Sequence, residues 1–373
     1  MNGHNSVKFT PFGRAAAVAT LAALTLTSCA VNEMPGAATG NGAATELTGT
    51  LVGGGASSQQ SAQEAWVAAF QGMHSAVTVE YDPAGSGAGR DTFIAGGSAF
   101  AGSDRAFKDA ELADEEFTAC VPDTGLVELP AYISPIAVVF NLEGVDTLDL
   151  DPTTLAGIFS GTITTWNDKA IASQNPDATL PNQTITPVHR ADDSGTTENF
   201  TEYLNVTAPD VWSWEADGVW PDAVKGGEAA QQTSGVIDAV TSGTGTIGYA
   251  DASRSGELGT VAVKVGDEYV PYSAEAAAAI VDASPLVDGR GEGDLAIQLD
   301  RATTEAGVYP IVLISYLIGC TEYKDAETAK LVKEYFSYIV SEEGQKVSAD
   351  AAGSAPISAA IAEKSAAAIE LIK

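Results

Sequence analysis

The densest run of groups able to do chemistry is VHRADDSGTT, residues 188–197. An extended apolar stretch, residues 185–188, runs into Arg190, and a tight Asp-Asp-Ser-Gly turn follows. The pattern then becomes helical, with Phe200, Tyr203 and Leu204 on one face. Ser194 and Thr196 therefore stand at a helix entry, where the first backbone N–H groups have no intrahelical partner. An oxyanion can take those donors, and the helix dipole favours its charge. Arg190 adds a planar fork of N–H groups suited to a tetrahedral oxyanion. The same residue types also fit an ordinary capped helix with a surface arginine.

Other chemistries have less support. The histidines are His4, His74 and His189, and no Cys/His cluster has metal-ligand spacing, so no metal or cofactor is expected. The sequence contains neither a G-x-S-x-G elbow nor a G-x-x-x-x-G-K-[ST] phosphate loop. A serine hydrolase would need Ser57, Ser86 or Ser194 beside a base. His189 neighbours Arg190 on a strand, so the two point to opposite faces, and an enzyme is not expected.

The elements that must hold such a site recur along the chain. Its 373 residues are 45% apolar and include 38 glycines, enough for one large or two ordinary domains. A strand near 46–52 leads through Gly53-Gly54-Gly55-Ala56-Ser57-Ser58 into a helix with Ala62, Trp66 and Phe70 on one face. A strand over 77–81 leads through Gly85-Ser86-Gly87 to a short helix around 91–95. A short strand, 100–104, ends in Asp104, and residues 109–117 read as a solvated acidic helix. Residues 129–140 read as a strand pair broken by Pro130 and Pro135. Residues 309–316 read as a buried strand and 326–342 as an amphipathic helix, while 251–300 have no assignable pattern. Strand, glycine turn and helix in alternation predict an α/β fold with a largely parallel sheet, and ligands in such folds bind beyond the carboxyl ends of strands.

The formal net charge is -32, from 18 basic and 50 acidic residues. That balance argues against nucleic acid as a partner. Residues 1–28 carry Lys8, Arg14 and an apolar run over 15–26, too short to span a bilayer comfortably. The run ends in Leu26-Thr27-Ser28-Cys29, which resembles a bacterial lipobox, so Cys29 is the expected lipidation site and 1–28 a signal peptide. Residues 29–45, rich in Ala, Gly, Asn and Thr, read as a flexible tether. With Cys29 lipidated, Cys120 and Cys320 remain, as a disulfide or as two buried thiols.

Several segments together resemble the periplasmic phosphate-binding proteins of ABC-type phosphate importers. The most specific are residues 155–168 (LAGIFSGTITTWND) and 189–196 (HRADDSGT). Gly53-Gly54-Gly55-Ala56-Ser57, Gly85-Ser86-Gly87 and Ala101-Gly102-Ser103-Asp104 match the remaining pocket motifs in order. The resemblance implies a two-lobed periplasmic-binding-protein fold of type II, with a hinge of two chain crossings near Tyr132 and Tyr309. Lobe I would be 46–131 and 310–373, and lobe II 132–309. Cys120 and Cys320 then share lobe I, where a disulfide is plausible. Ser57, Ser58 and Ser86 would bind phosphate from one lobe, and Arg190, Ser194, Gly195 and Thr196 from the other. Asp104 would accept the proton of hydrogen phosphate, which sulfate and molybdate lack at neutral pH. The family usually has Thr then Phe where this chain has Ser57 then Ser58. The implied function is capture of inorganic phosphate, by a monomer lipid-anchored to the outer face of the cytoplasmic membrane, and delivery to a phosphate permease. Binding of another tetrahedral oxyanion, or serine hydrolysis, are the alternatives.

Overall fold

The computed structural model describes residues 47–373. The signal peptide, Cys29 and the tether expected from the sequence lie outside the described residues.

The glycine-rich turns come first in the chain and set the pattern. Strand β1 (Gly49–Gly55) is followed by a 3-10 turn (Ser57–Gln59) and helix α1 (Gln60–Met73), whose Trp66 and Phe70 are buried. Next come β2 (Val77–Asp82), α2 (Ser86–Ile94), β3 (Phe100–Ser103) and α3 (Asp109–Asp114). Helix α2 thus begins at Ser86, before the expected 91–95, and α3 stops short of Phe117. At Gly55 the backbone has φ +144°, and a Cβ would lie 1.9 Å from the Gly102 carbonyl oxygen. Only glycine lets β1 and β3 approach that closely where β1 turns into its helix.

The chain continues through β4 (Leu126–Asn141), β5 (Thr147–Leu150), α4 (Pro152–Phe159), α5 (Lys169–Ala172), β6 (Thr186–Arg190) and α6 (Gly195–Thr207). It then forms β7 (Glu228–Ala230), α7 (Gln232–Ser242) and β8 (Thr246–Asp251). Strands β9 (Gly259–Val265) and β10 (Glu268–Val270) and helix α8 (Ala274–Ala283) occupy the stretch that showed no pattern. Strand β11 (Val312–Cys320) and helices α9 (Ala326–Val340), α10 (Glu342–Ala352) and α11 (Ala359–Ile369) complete it.

Strands run in the order β2-β1-β3-β11-β4-β8-β6-β7, with β9 also on β4 and with β5 and β10 on β9. The sheet is mixed rather than largely parallel. Pairs β1–β2, β1–β3, β5–β9, β6–β7 and β6–β8 are parallel. Strands β4 and β11 run antiparallel to each other, as do β11 with β3 and β4 with β8. The expectation failed because each βα turn signals only its own local crossover. The central partners, residues 126–141 and 312–320, are nearly two hundred residues apart and carry no turn that announces their direction.

Residues 126–141 are one continuous strand, not a pair broken at its prolines. Pro130 faces Tyr316 at a register shift in β11, and Pro135 faces Val312, the first residue of β11. Both sit where the ladder is already interrupted, so their missing N–H is tolerated. At that second position β4 changes partner: Pro135 pairs with β11, and Ile136 pairs with Asp251 of β8. Two half-sheets thus share one strand. The returning chain meets it there, where Ile136 N–H donates to the Ile311 carbonyl at 2.7 Å and the buried Tyr309 hydroxyl to the Ile136 carbonyl at 2.8 Å.

Cys120 and Cys320 are joined as a disulfide, with Cα atoms 5.4 Å apart. Of the two arrangements left open by the cysteine count, the bridge is the one formed.

Candidate functional site

Four strand-to-helix junctions converge on one buried cluster. Ser57 and Ser58 follow β1, Ser86 opens α2, Asp104 follows β3, and Arg190, Ser194, Gly195 and Thr196 lie between β6 and the first turn of α6. All eight are buried, and none of the seven other than Gly195 exceeds 5% exposure. So many polar side chains out of water need partners, or each costs of the order of 1–3 kcal/mol.

Asp104 is the centre of the partnership. Its Oδ1 accepts the Ser58 and Ser315 hydroxyls, each at 2.6 Å, and its Oδ2 accepts the Thr196 hydroxyl at 2.9 Å. Its backbone N–H donates to Ser86 Oγ at 3.2 Å, and its carbonyl accepts Asn199 Nδ2 at 2.7 Å. Three hydroxyl donors on one carboxyl are the surroundings of an acceptor, the role that a ligand proton requires.

The first turn of α6 packs directly on this acid. A Cβ on Gly195 would lie 2.7 Å from Asp104 Cβ and 2.9 Å from Ser86 Oγ, so any side chain there would push the two apart. Ser194 caps α6: its hydroxyl accepts the Thr197 N–H at 3.2 Å, while its own N–H donates to the Gly218 carbonyl at 2.9 Å.

Arg190 is held at the edge of the cluster by Asp192. Its Nε donates to Asp192 Oδ1 at 2.8 Å, and its Nη2 pairs with Asp192 Oδ2. Asp192 Oδ1 also accepts the Gln232 backbone N–H at 2.9 Å. A Cβ on Gly85 would meet Asp192 Oδ2 at 2.7 Å and Arg190 Nη2 at 3.8 Å, so the guanidinium lies against the entry to α2. Its backbone N–H donates to the Tyr249 hydroxyl at 3.3 Å. Burial pushes that phenol up to about 12, although hydrogen bonds from Thr197 and Arg190 pull the other way, so it stays neutral. His189 turns away, stacked on Trp220 with ring centroids 4.6 Å apart.

The structure therefore joins Ser58, Ser86, Asp104, Gly195 and Thr196 in direct contact. Ser57 instead meets Thr233: the hydroxyls are 3.0 Å apart, and Thr233 N–H donates to Ser57 Oγ at 3.1 Å. The Ser58 hydroxyl is committed to Asp104, and that of Ser194 to its helix. Sequence reasoning missed Ser315, Asp192, Asn199 and Thr233. Ser315 was visible as the one hydroxyl inside the buried run 312–318, apart from the phenol of Tyr316. Asp192 follows Arg190 by two, a spacing that returns a side chain to the same side of an extended segment. Thr233 gave no signal.

Half-sheets sharing a strand, with buried helix entries around an acid and an arginine, define a two-lobed binding-protein fold. The sequence model of the PBP superfamily domain matches residues 39–343. Phosphate-binding protein PstS 3 of Mycobacterium tuberculosis is 33% identical over 341 residues, covering 88% of this chain and 90% of that protein. Phosphate-binding protein PstS 2 of the same organism is 30% identical over 377 residues, covering 98% of this chain and 100% of the relative. A phosphate-binding protein from Stenotrophomonas maltophilia shares the fold, with a TM-score of 0.64 at 20% identity over 86% of this chain and 94% of its own. The chain belongs to the PBP superfamily and, within it, to the PstS-type phosphate-binding proteins.

Proposed function

We propose that this protein captures inorganic phosphate between two lobes, 46–131 with 310–373 and 132–309, and hands it to an ABC permease. The observation that carries this reading is Asp104, a buried acid ringed by hydroxyl donors and by the entries of α2 and α6. Hydrogen phosphate brings both acceptor oxygens for the N–H groups, hydroxyls and Arg190, and a proton for Asp104. Sulfate and molybdate bring no proton, and their charge would face the carboxylate unrelieved. Ser57, Ser58, Ser86, Arg190, Ser194, Gly195 and Thr196 supply the remaining donors, Ser58 and Thr196 through their backbone N–H groups and Ser194 through the proton its capping hydroxyl retains. Closure of the lobes follows from contacts that the ligand makes only in the closed state. The protein works as a monomer outside the cytoplasmic membrane, tethered by lipid on Cys29.

The reading is of a binder and not a hydrolase, because the Ser194 hydroxyl is occupied as a cap and His189 is stacked on Trp220. Calorimetric titration of phosphate into refolded, ligand-stripped protein lacking residues 1–29, in excess sulfate, tests it. One-to-one binding undisturbed by sulfate is expected. Heat with sulfate or molybdate alone would remove phosphate as the ligand, and no heat with any of them would return these residues to caps and turns.

A further inference from the structure

The turn that opens α7 touches both halves of the candidate site, and none of the five segments that carry the family resemblance includes it. Gln232 stands there with φ +61°, a left-handed conformation that a side-chain-bearing residue rarely adopts. Such a conformation persists only where the surroundings enforce it. Here it aims two successive N–H groups at two different targets. Gln232 N–H donates to Asp192 Oδ1, the carboxylate that grips Arg190, and Thr233 N–H donates to Ser57 Oγ. Thr233 is itself buried.

We infer that Thr233 is a positioning residue for phosphate, acting through the Ser57 hydroxyl. A serine hydroxyl has one proton and two acceptor sites. Thr233 N–H fills one of those sites, and the Thr233 hydroxyl, 3.0 Å away, fills the second when it donates. With both filled, the Ser57 proton is directed off Thr233 and toward the anion. The contact also reaches from 132–309 to 46–131, so it forms as the lobes close. Thr233 would thereby slow phosphate release without touching phosphate. The inference rests on the phosphate-capture reading.

A double-mutant cycle on the protein lacking residues 1–29, with inorganic phosphate as probe, tests it. Thr233→Val keeps the backbone N–H and removes the hydroxyl. It is expected to weaken phosphate binding about tenfold, mainly through faster release, as the loss of one hydrogen bond would. Thr233→Ser should recover to within about threefold of wild type. Ser57→Ala combined with Thr233→Val should bind no more than about twofold worse than Ser57→Ala alone, because the second change has nothing left to act through. Additive losses, or a Thr233→Val protein that binds and releases like wild type, would overturn the inference and leave phosphate capture standing. Wild-type protein that binds no phosphate would overturn the capture reading, and this inference with it. Should Thr233→Val not fold, Thr233→Ala enters the same cycle with the same expected outcomes.

Discussion

At the scale of single residues, three acids govern how the protein responds to its ligand and to pH. Asp104→Asn replaces one acceptor oxygen by an N–H donor, so the site would then offer a hydrogen bond to sulfate where it offered repulsion. The phosphate-over-sulfate preference is expected to fall at least about tenfold, read by competition calorimetry. Two other acids set opposite pH dependences of stability. Asp251 is fully buried, and burial pushes its carboxyl up to about 6 although the Ser253 and Tyr132 hydroxyls oppose that. A folded value above the unfolded one means that stability falls as pH rises from about 4 to 6. Asp251→Asn should remove that slope, worth at most about 3 kcal/mol, in urea midpoints at pH 4 and 7. Glu111 behaves in reverse. Burial alone would raise it, but a hydrogen bond from Arg105, the Lys108 N–H and the Arg105 and Arg90 charges hold it at about 2. Its contribution is complete above its ordinary value and is lost as pH falls from about 4.5 toward 2. Glu111→Gln should flatten that acid limb.

At the scale of elements, helix entries govern both stability and the site. Gly195→Ala would put a methyl group between Asp104 and Ser86. The fold should survive while phosphate affinity drops by two orders of magnitude or more, with an unchanged far-UV spectrum as control. The disulfide makes the opposite prediction: reducing it removes a long cross-link of the unfolded chain, about 2–5 kcal/mol, and should lower Tm with little change in affinity. Elements were also where legibility varied most. Helix α1 and the glycine turns were readable because a 3.6-residue stripe and a run of glycines are local signals. Strand β4 was misread because proline is a local breaker, whereas its tolerance at 130 and 135 depends on what β11 does opposite. The site divides the same way. Arg190 and the α6 entry could be read from ten contiguous residues. Asp104 needed a family resemblance, and Ser315 and Thr233 enter only through pairings between segments remote in sequence.

At the scale of the whole molecule, a net charge of -32 surrounds a site offered to an anion. Screening confines that field to about 8 Å at physiological ionic strength, so local donors decide affinity. Added salt should therefore change the phosphate on-rate more than the ratio of phosphate to sulfate affinities, as stopped-flow at two salt concentrations would show. Glu198 pairs with Arg105 at 2.7 Å and Lys108 at 2.9 Å. The strand order has a consequence for biosynthesis. Strand β11 lies between β3 and β4, so the first half-sheet has a gap in its middle until residues 312–320 exist. A nascent chain still short of that point cannot close its hydrophobic centre, however many helices it has made. Ribosome-bound chains ending near residue 300 should be cut rapidly by protease, and those with β11 clear of the exit tunnel should resist it. The last strand to arrive is thus a lock on premature folding, keeping the chain open until its final quarter has been made.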